Sequence, residues 1–185
     1  MKRLTTMTLG LSLAIANAYA QQIPVKMTFS GNGAASPINL KQPNTNTAEE
    51  DVAGTGSLGS FTFRNVRAIG LSPQPSGTCL GVFFPSTSGA GIFRFEDGSL
   101  LTVNLMQGGD CIDFVHLVGH CMLTLTISGG TGRFKNASGV LTYTETALPV
   151  LSDAMHFPAF FTEAGEFTGM ISGMAAGEEF QDKGR

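Results

Sequence analysis

The chain contains no tryptophan, only three cysteines and no cluster of lysines or arginines. The missing basic cluster argues against nucleic acid or an anionic membrane surface as a partner, because binding to phosphates depends on grouped Lys and Arg. Beyond the first twenty residues no stretch approaches the roughly 20 consecutive apolar residues of a transmembrane helix, so no membrane span is expected. No segment has the spacing of a convincing amphipathic helix. A nucleophile elbow, a Ser-His-Asp signature and a Cys-His pair with a supporting motif are all absent. The run Gly129-Gly130-Thr131-Gly132 lacks the Gly-Lys-Ser/Thr of a phosphate loop. A threonine-rich strand follows it where a helix N-terminus would be needed, which removes nucleotide binding.

What is present begins with an export signal. Met1-Lys2-Arg3 is basic, Leu4 to Ala16 is mostly apolar, and Ala18-Tyr19-Ala20 has the small residues a signal peptidase needs. Residues 1–20 therefore read as a signal peptide cleaved near Ala20, and the mature protein, residues 21–185, as secreted or periplasmic. Losing Lys2 and Arg3 leaves nine basic residues against fourteen acidic ones, a net charge of −5. About 165 mature residues make one domain with a sizeable core.

The 24 glycines, 14 phenylalanines and many threonines point to β structure with frequent turns. Met122 to Ile127 (M-L-T-L-T-I) and Val140 to Thr146 alternate apolar and polar residues, the period of half-buried strands. The glycines between them supply sharp turns. Further strands are expected at Ile23 to Ser30, Gly59 to Ile69, Thr78 to Phe84 (ended by Pro85), Cys111 to Val118, His120 to Ser128 and Phe160 to Gly173. Gly91 to Glu96 and Ser99 to Met106 flank Asp97-Gly98, a dipeptide suited to a tight two-residue hairpin turn. Gly119 marks either a bend within one strand or a turn between two. Residues 31–57 lack periodicity and read as a long loop, Ala147 to Pro158 as a connection, and 175–185 as a polar tail. The fold expected is all-β, about eight antiparallel strands closed into a single barrel without substantial helix, because closure removes exposed edges. A two-sheet sandwich is the alternative.

The hairpin F-x-D-G-S-L (Phe95 to Leu100), the segment G-G-T-G-R-F-K-N-A-S-G (Gly129 to Gly139) and E-F-T-G-M-I-S-G (Glu166 to Gly173) resemble bacterial secreted proteins with an allene oxide cyclase-like, or dirigent-like, calycin-type β-barrel. The resemblance covers most of the mature chain through turn and strand-end residues. It implies a cavity that holds a reactive, largely apolar substrate, with no catalytic residue carried over.

Alternation also nominates a site. If Phe61 and Phe63 point inward, so do Asn65, Arg67 and Ile69; if Leu141 does, so do Tyr143 and Glu145. Arg67 and Glu145 inside a barrel must be paired, since an isolated buried charge is costly. Asn65, Arg67, Tyr143 and Glu145 are thus the ligand-binding candidates, weighed against a purely structural ion bridge or a solvent-facing placement. Cys111, Asp113, His116, His120 and Cys121 are all metal-ligating types, yet their spacing suits no single strand face, and no metal or cofactor is assigned. In an oxidising compartment Cys111 and Cys121 pair with each other or with Cys79, leaving an odd thiol, with free buried cysteines as the alternative. Glu96 with Asp97, and Glu163 with Glu166, read as solvated edge charges. Asn136-Ala137-Ser138 fits a glycosylation acceptor.

Three functions from different classes follow. The first is a barrel that binds a small apolar molecule without chemistry. The second is an isomerase or cyclase using the same cavity. The third is a barrel filled by its own side chains and serving as a structural or interaction module.

Overall fold

Burying every second residue along a strand works only if a partner surface covers the buried face, and eight such strands cover one another by closing. The computed structural model describes residues 22–154 and 157–175. The strands are β1 (Ile23–Ala35), β2 (Thr45–Gly56), β3 (Phe61–Gly70), β4 (Val82–Phe95), β5 (Leu100–Asp113), β6 (Val118–Gly130), β7 (Ser138–Ser152) and β8 (Pro158–Ser172). Each pairs antiparallel with its neighbour in sequence, and β8 closes on β1, so the barrel has no free edge. A 3-10 turn at Gly132–Phe134 is the only helical element among the described residues. No described helix is long and apolar enough to cross a membrane. The expected signal peptide and most of the polar tail lie outside the described residues.

The strands run longer than their sequence patterns. Residues 31–57, expected as a loop, hold the end of β1 and all of β2, paired from Met27↔Gly56 to Ala35↔Ala48. Ala48, Glu50 and Val52 are the buried positions of β2; a small residue and a charged one at inward sites hid the period. Pro85 does not end a strand, because β4 continues through it to Phe95. Cys111 to Val118 is not one strand: β5 ends at Asp113, residues 114–117 turn with Leu117 at φ 54, and β6 begins at Val118, with Gly119 inside it. The connection expected from Ala147 is β7 as far as Ser152. At the Asp97-Gly98 hairpin the loop has three residues. Phe95 O accepts from Gly98 N (3.0 Å), Phe95 N donates to Ser99 O (3.0 Å), and only Gly98 takes positive φ, +78. That is a type I turn followed by a glycine bulge.

One end of the barrel is shut. Phe167 lies among Phe29, Phe61, Phe63, Phe93 and Tyr143, with ring centroids 4.8–5.9 Å away. Below this layer Phe134, fully buried, packs on Phe95 at 4.7 Å. The Arg133 guanidinium covers Phe95 and Phe134 at 4.9 and 4.7 Å, donates to Leu58 O and pairs with Asp97. Rings this dense need glycines opposite: a Cβ at Gly91 would lie 2.5 Å from Phe63 ring atoms. Outside, β1 to β4 carry Lys26, Glu49, Asp51, Arg64 and Arg94.

Candidate functional site

Past the phenylalanine layers the same inward positions turn polar. Along β3 the buried sequence is Phe61, Phe63, Asn65, Arg67, and along β7 it is Leu141, Tyr143, Glu145. All four candidates from the sequence therefore point inward and meet. The register brings others: Glu50 lies opposite Asn65, and Asp110, Cys121 and Glu145 form a row across β5, β6 and β7. Glu163, expected as an edge charge, is 4 % exposed, because it shares the inward face of β8 with Phe161 and Phe167. Glu166, three residues on, is only half-buried, and Glu96 and Asp97 are exposed as expected.

Arg67 is the only cation in the group, and its chief partners are not the expected one. It donates twice to Asp110, from Nη1 at 2.6 Å and Nη2 at 2.9 Å, and also to Glu50 Oε1 from Nε at 2.8 Å and to Ser86 Oγ at 3.0 Å. Glu145 Oε1 stands off at 3.9 Å. A planar guanidinium suits this work, gripping one carboxylate with two donors while a third serves another. Burial opposes its charge, and the carboxylates of Asp110 and Glu50 more than offset that, holding its pKa above the ordinary value.

One arginine does not neutralise four buried carboxyls. Tyr143 Oη is 3.2 Å from Glu50 Oε2 and from Glu163 Oε2 and is hydrogen-bonded to Glu145 Oε2. A phenol has one hydrogen and two lone pairs. It bonds all three carboxyls only if two of them carry protons and donate. Glu145 and Glu163 are the two whose protonated forms burial favours. Burial first, then the charge of Glu50, pushes Glu145 well above the carboxylate range. Burial lifts Glu163 to about 7, with the hydrogen bond to Glu145 pulling the other way. The alternative, ionised carboxylates whose oxygens lie within 4.8 Å of one another, costs about 3 kcal/mol per pair even at an effective dielectric constant near 20. Burial, then the neighbouring carboxylates, likewise holds the Tyr143 phenol well above its usual value.

Beyond this cluster the barrel opens into a mouth. A cavity of about 120 Å³ has Arg67, Asp110, Cys121 and Glu145 on its floor. Its walls are apolar, with Ala48, Ile69, Phe84, Ile112, Ala147 and Phe161 among them. Phe84, Phe114 and Phe157 meet edge to face on the rim, at centroid distances of 5.9–6.4 Å. Ile69 is only half-buried because the β3–β4 register shifts at Ala68/Ile69 and Ala68 takes the inward place. The rim turn is held by Asp113, whose Oδ1 accepts from Val115 N and His116 N and whose Oδ2 meets His116 Nδ1 at 2.7 Å. The hydrogen bond from His116 holds the Asp113 carboxyl down at about 2.

The cysteines pair as Cys79–Cys111, with Cα atoms 5.5 Å apart, which corrects the candidate Cys111–Cys121 bond. Opposite Cys111 in the ladder is His120, so Cys111 and Cys121 belong to opposite faces of the sheet. Cys121 is a free, buried thiol; burial above all pushes its pKa well up, so it is a thiol and not a thiolate. The five metal-ligating residues of this region are thereby dispersed: Cys111 in the disulfide, Asp113 and His116 on the rim turn, His120 outside near Thr146 Oγ1 (3.3 Å), and Cys121 within.

With this geometry in view, no protein-family model matches the chain. Two proteins of Arabidopsis thaliana are similar to it. Dirigent protein 18 is 27% identical over 176 residues, covering 77% of this chain and 70% of its own length. Dirigent protein 16 is 27% identical over 158 residues, covering 68% of this chain and 65% of its own. These relatives support a dirigent-like β-barrel. Among solved structures, the pterocarpan synthase dirigent protein PsPTS1 aligns at 14% identity and TM-score 0.45 over 84% of this chain and 97% of its own. GePTS1, also a pterocarpan synthase dirigent protein, aligns at 15% and 0.41 over 84% and 87%.

Proposed function

We propose that the protein binds a small, largely apolar molecule in the mouth of the barrel, with one polar group of the ligand seated on Arg67, Asp110 and Glu145. The observation that carries this reading is the apolar cavity with a charged, hydrogen-bonding floor, since ligand pockets are apolar with few convergent polar groups. Its size sets the scale of the bound part. A cavity of about 120 Å³ is below the roughly 300–1,000 Å³ of drug-sized pockets and near the roughly 150 Å³ that accepts benzene. One ring or a short branched chain enters; the rest of a larger ligand lies between Leu71, Phe114, Leu117 and Phe157 at the opening.

Ala147 lies on the wall, so Ala147→Phe fills the space without touching the floor. Wild type purified without denaturant is expected to release a retained small molecule on solvent extraction, detected by mass spectrometry, and Ala147→Phe to release none. The reading fails if no extracted molecule, and no member of a panel of simple phenols, terpenes and fatty acids, shifts the melting temperature of wild type more than that of Ala147→Phe.

A second reading, an isomerase or cyclase, is favoured by one feature. Glu145 is a carboxyl on the cavity floor whose burial favours the protonated form, a group able to donate a proton to a ligand. Turnover of epoxide or polyene substrates, lost in Glu145→Gln and kept in part in Glu145→Asp, would select it over simple binding. The export expected from residues 1–20 enters the same proposal, supported by the disulfide, which persists in oxidising compartments.

A further inference from the structure

Behind the cavity floor, Glu50, Glu145 and Glu163 each offer a carboxylate oxygen, and these atoms lie within 4.8 Å of one another. All three residues are buried. A cluster of acids can be satisfied by protons alone, but two further atoms are not satisfied in this way. Glu163 Oε1 and Asn65 Oδ1 are both buried and without a hydrogen-bond partner. Glu163 and Asn65 are 4 % and 7 % exposed, so solvent does not serve them. The amide of Asn65 cannot be turned to relieve this, because its Nδ2 donates to Glu50 Oε2 at 2.7 Å and a flipped amide would set oxygen against oxygen. The single phenol hydrogen of Tyr143 is already contested by three carboxyls. Arg67 serves Glu50 and stands 3.9 Å from Glu145 but makes no ion pair with Glu163, so the cluster keeps bare acceptors on the side away from its only cation.

We propose that this cluster is a site for a hard divalent cation of the calcium type, held by Glu50, Glu145 and Glu163, with the Asn65 carbonyl and the Tyr143 oxygen completing an all-oxygen shell. Calcium takes six to eight oxygens at about 2.3–2.6 Å and tolerates irregular geometry. A centre between oxygens no more than 4.8 Å apart is within small side-chain rotations of that distance. One such ion carries the charge of the two protons that the phenol's hydrogen-bond count otherwise demands. The second acidic group, Asp110, Cys121 and Glu145, is the weaker candidate: both oxygens of Asp110 are taken by Arg67, and its third donor is a thiol suited to softer metals. The site shares Glu145 with the proposed ligand cavity; an ion there holds Glu145 ionised, which leaves the binding reading intact and removes the proton-donor reading.

The chain supplies its own reporter. It has no tryptophan and two tyrosines, Tyr19 in the expected signal peptide and Tyr143 in the cluster. Terbium(III) mimics calcium and emits when an adjacent tyrosine is excited. Full-length protein stripped with EDTA is expected to show saturable, one-to-one terbium emission on excitation of tyrosine. Excess calcium should displace it, and calcium alone should raise the melting temperature. Glu163→Gln and Asn65→Leu keep side-chain size, so both variants are expected to fold, and each should weaken terbium and calcium binding at least tenfold. Glu49→Gln, an exterior carboxylate paired with Arg64, should leave binding unchanged. Tyr143→Phe should abolish the emission while leaving part of the calcium-induced thermal shift. Absence of sensitised emission together with no thermal shift by calcium, magnesium or manganese overturns the proposal and leaves the cluster neutralised by protons. Emission that survives in both Glu163→Gln and Asn65→Leu, with folding confirmed by circular dichroism, places the ion elsewhere and overturns it equally.

Discussion

The two ends of the barrel are built from the same strands and the same alternation, yet they are held together differently. At the closed end Phe61, Phe63, Phe93, Phe95, Phe134 and Phe167 fill the interior ring against ring. At the open end the corresponding inward positions are Asn65, Arg67, Glu50, Glu145, Glu163 and Asp110. The first arrangement gains from every buried carbon and needs no partner for any atom. The second gains only if each charge and each hydrogen finds its counterpart, and one deletion strands the others. The closed end is therefore held by packing alone, whereas the open end holds only while its pairings stay complete.

Breaking each end separately tests this division. Phe167→Ala removes the ring that touches five others, and it should cost about 3–5 kcal/mol in denaturant unfolding, near the top of the range for aromatic truncation, with little dependence on pH. Arg67→Ala should cost slightly less at neutral pH, about 3–4 kcal/mol, because Asp110 and Glu50 are left buried without their counter-ion. Unlike the first loss, this one should be partly recovered in Arg67→Lys, which returns one positive charge to the two carboxylates; a Lys variant no more stable than the Ala variant would erase the distinction between the ends.

The open end also carries the covalent tether. Cys79 and Cys111 close a chain segment with a sequence separation of 32, and Cys79→Ser should cost about 2–4 kcal/mol by freeing it in the unfolded state. Proteolysis of the variant should then cut first in residues 71–81, an exposed connection between β3 and β4.

The smallest effect is a pH slope. Glu163 has its pKa raised to about 7 in the folded protein, above the ordinary value near 4.3. The folded state then binds more protons than the unfolded one between these two values. Its contribution is fully present below about pH 4 and is lost as pH rises through about 7. In EDTA-treated protein, stability should fall by about 2–3 kcal/mol over that window, and Glu163→Gln, which cannot ionise, should flatten the slope. A wild-type curve that rises with pH across the window would contradict a protonated Glu163.

Much of this architecture was open to reading from residue order. The F-x-F-x-N-x-R alternation of β3 and the L-x-Y-x-E of β7 assigned Asn65, Arg67, Tyr143 and Glu145 to one interior, and the structure brings all four together. Glu163 was within reach of the same reasoning, since Phe161 and Phe167 share its parity; its nearness to Glu166 suggested an exposed pair instead. Glu50 was harder, because β2 is built from T-N-T-A-E-E-D-V and its inward face carries Ala48 and Glu50 as well as Val52. Asp110 escaped for a geometric reason. The β5 ladder shifts register between Leu105 and Gln107, so parity counted from Leu101 and Val103 does not carry through to it.

Strand alternation, glycine placement and the lack of helical spacing are local properties, and they sufficed for a closed antiparallel barrel, though not for β2 or for the unbroken length of β4. Partner choice inside that enclosure is not local. Arg67 took Asp110 and Glu50 in preference to Glu145 because barrel closure and the register shifts decide which inward side chains arrive within a few ångströms of one another, and Cys111 took Cys79 because Cys121 is on the other face of the sheet. Those distances, and not the residue types, determine which carboxyls are pushed toward their protonated forms.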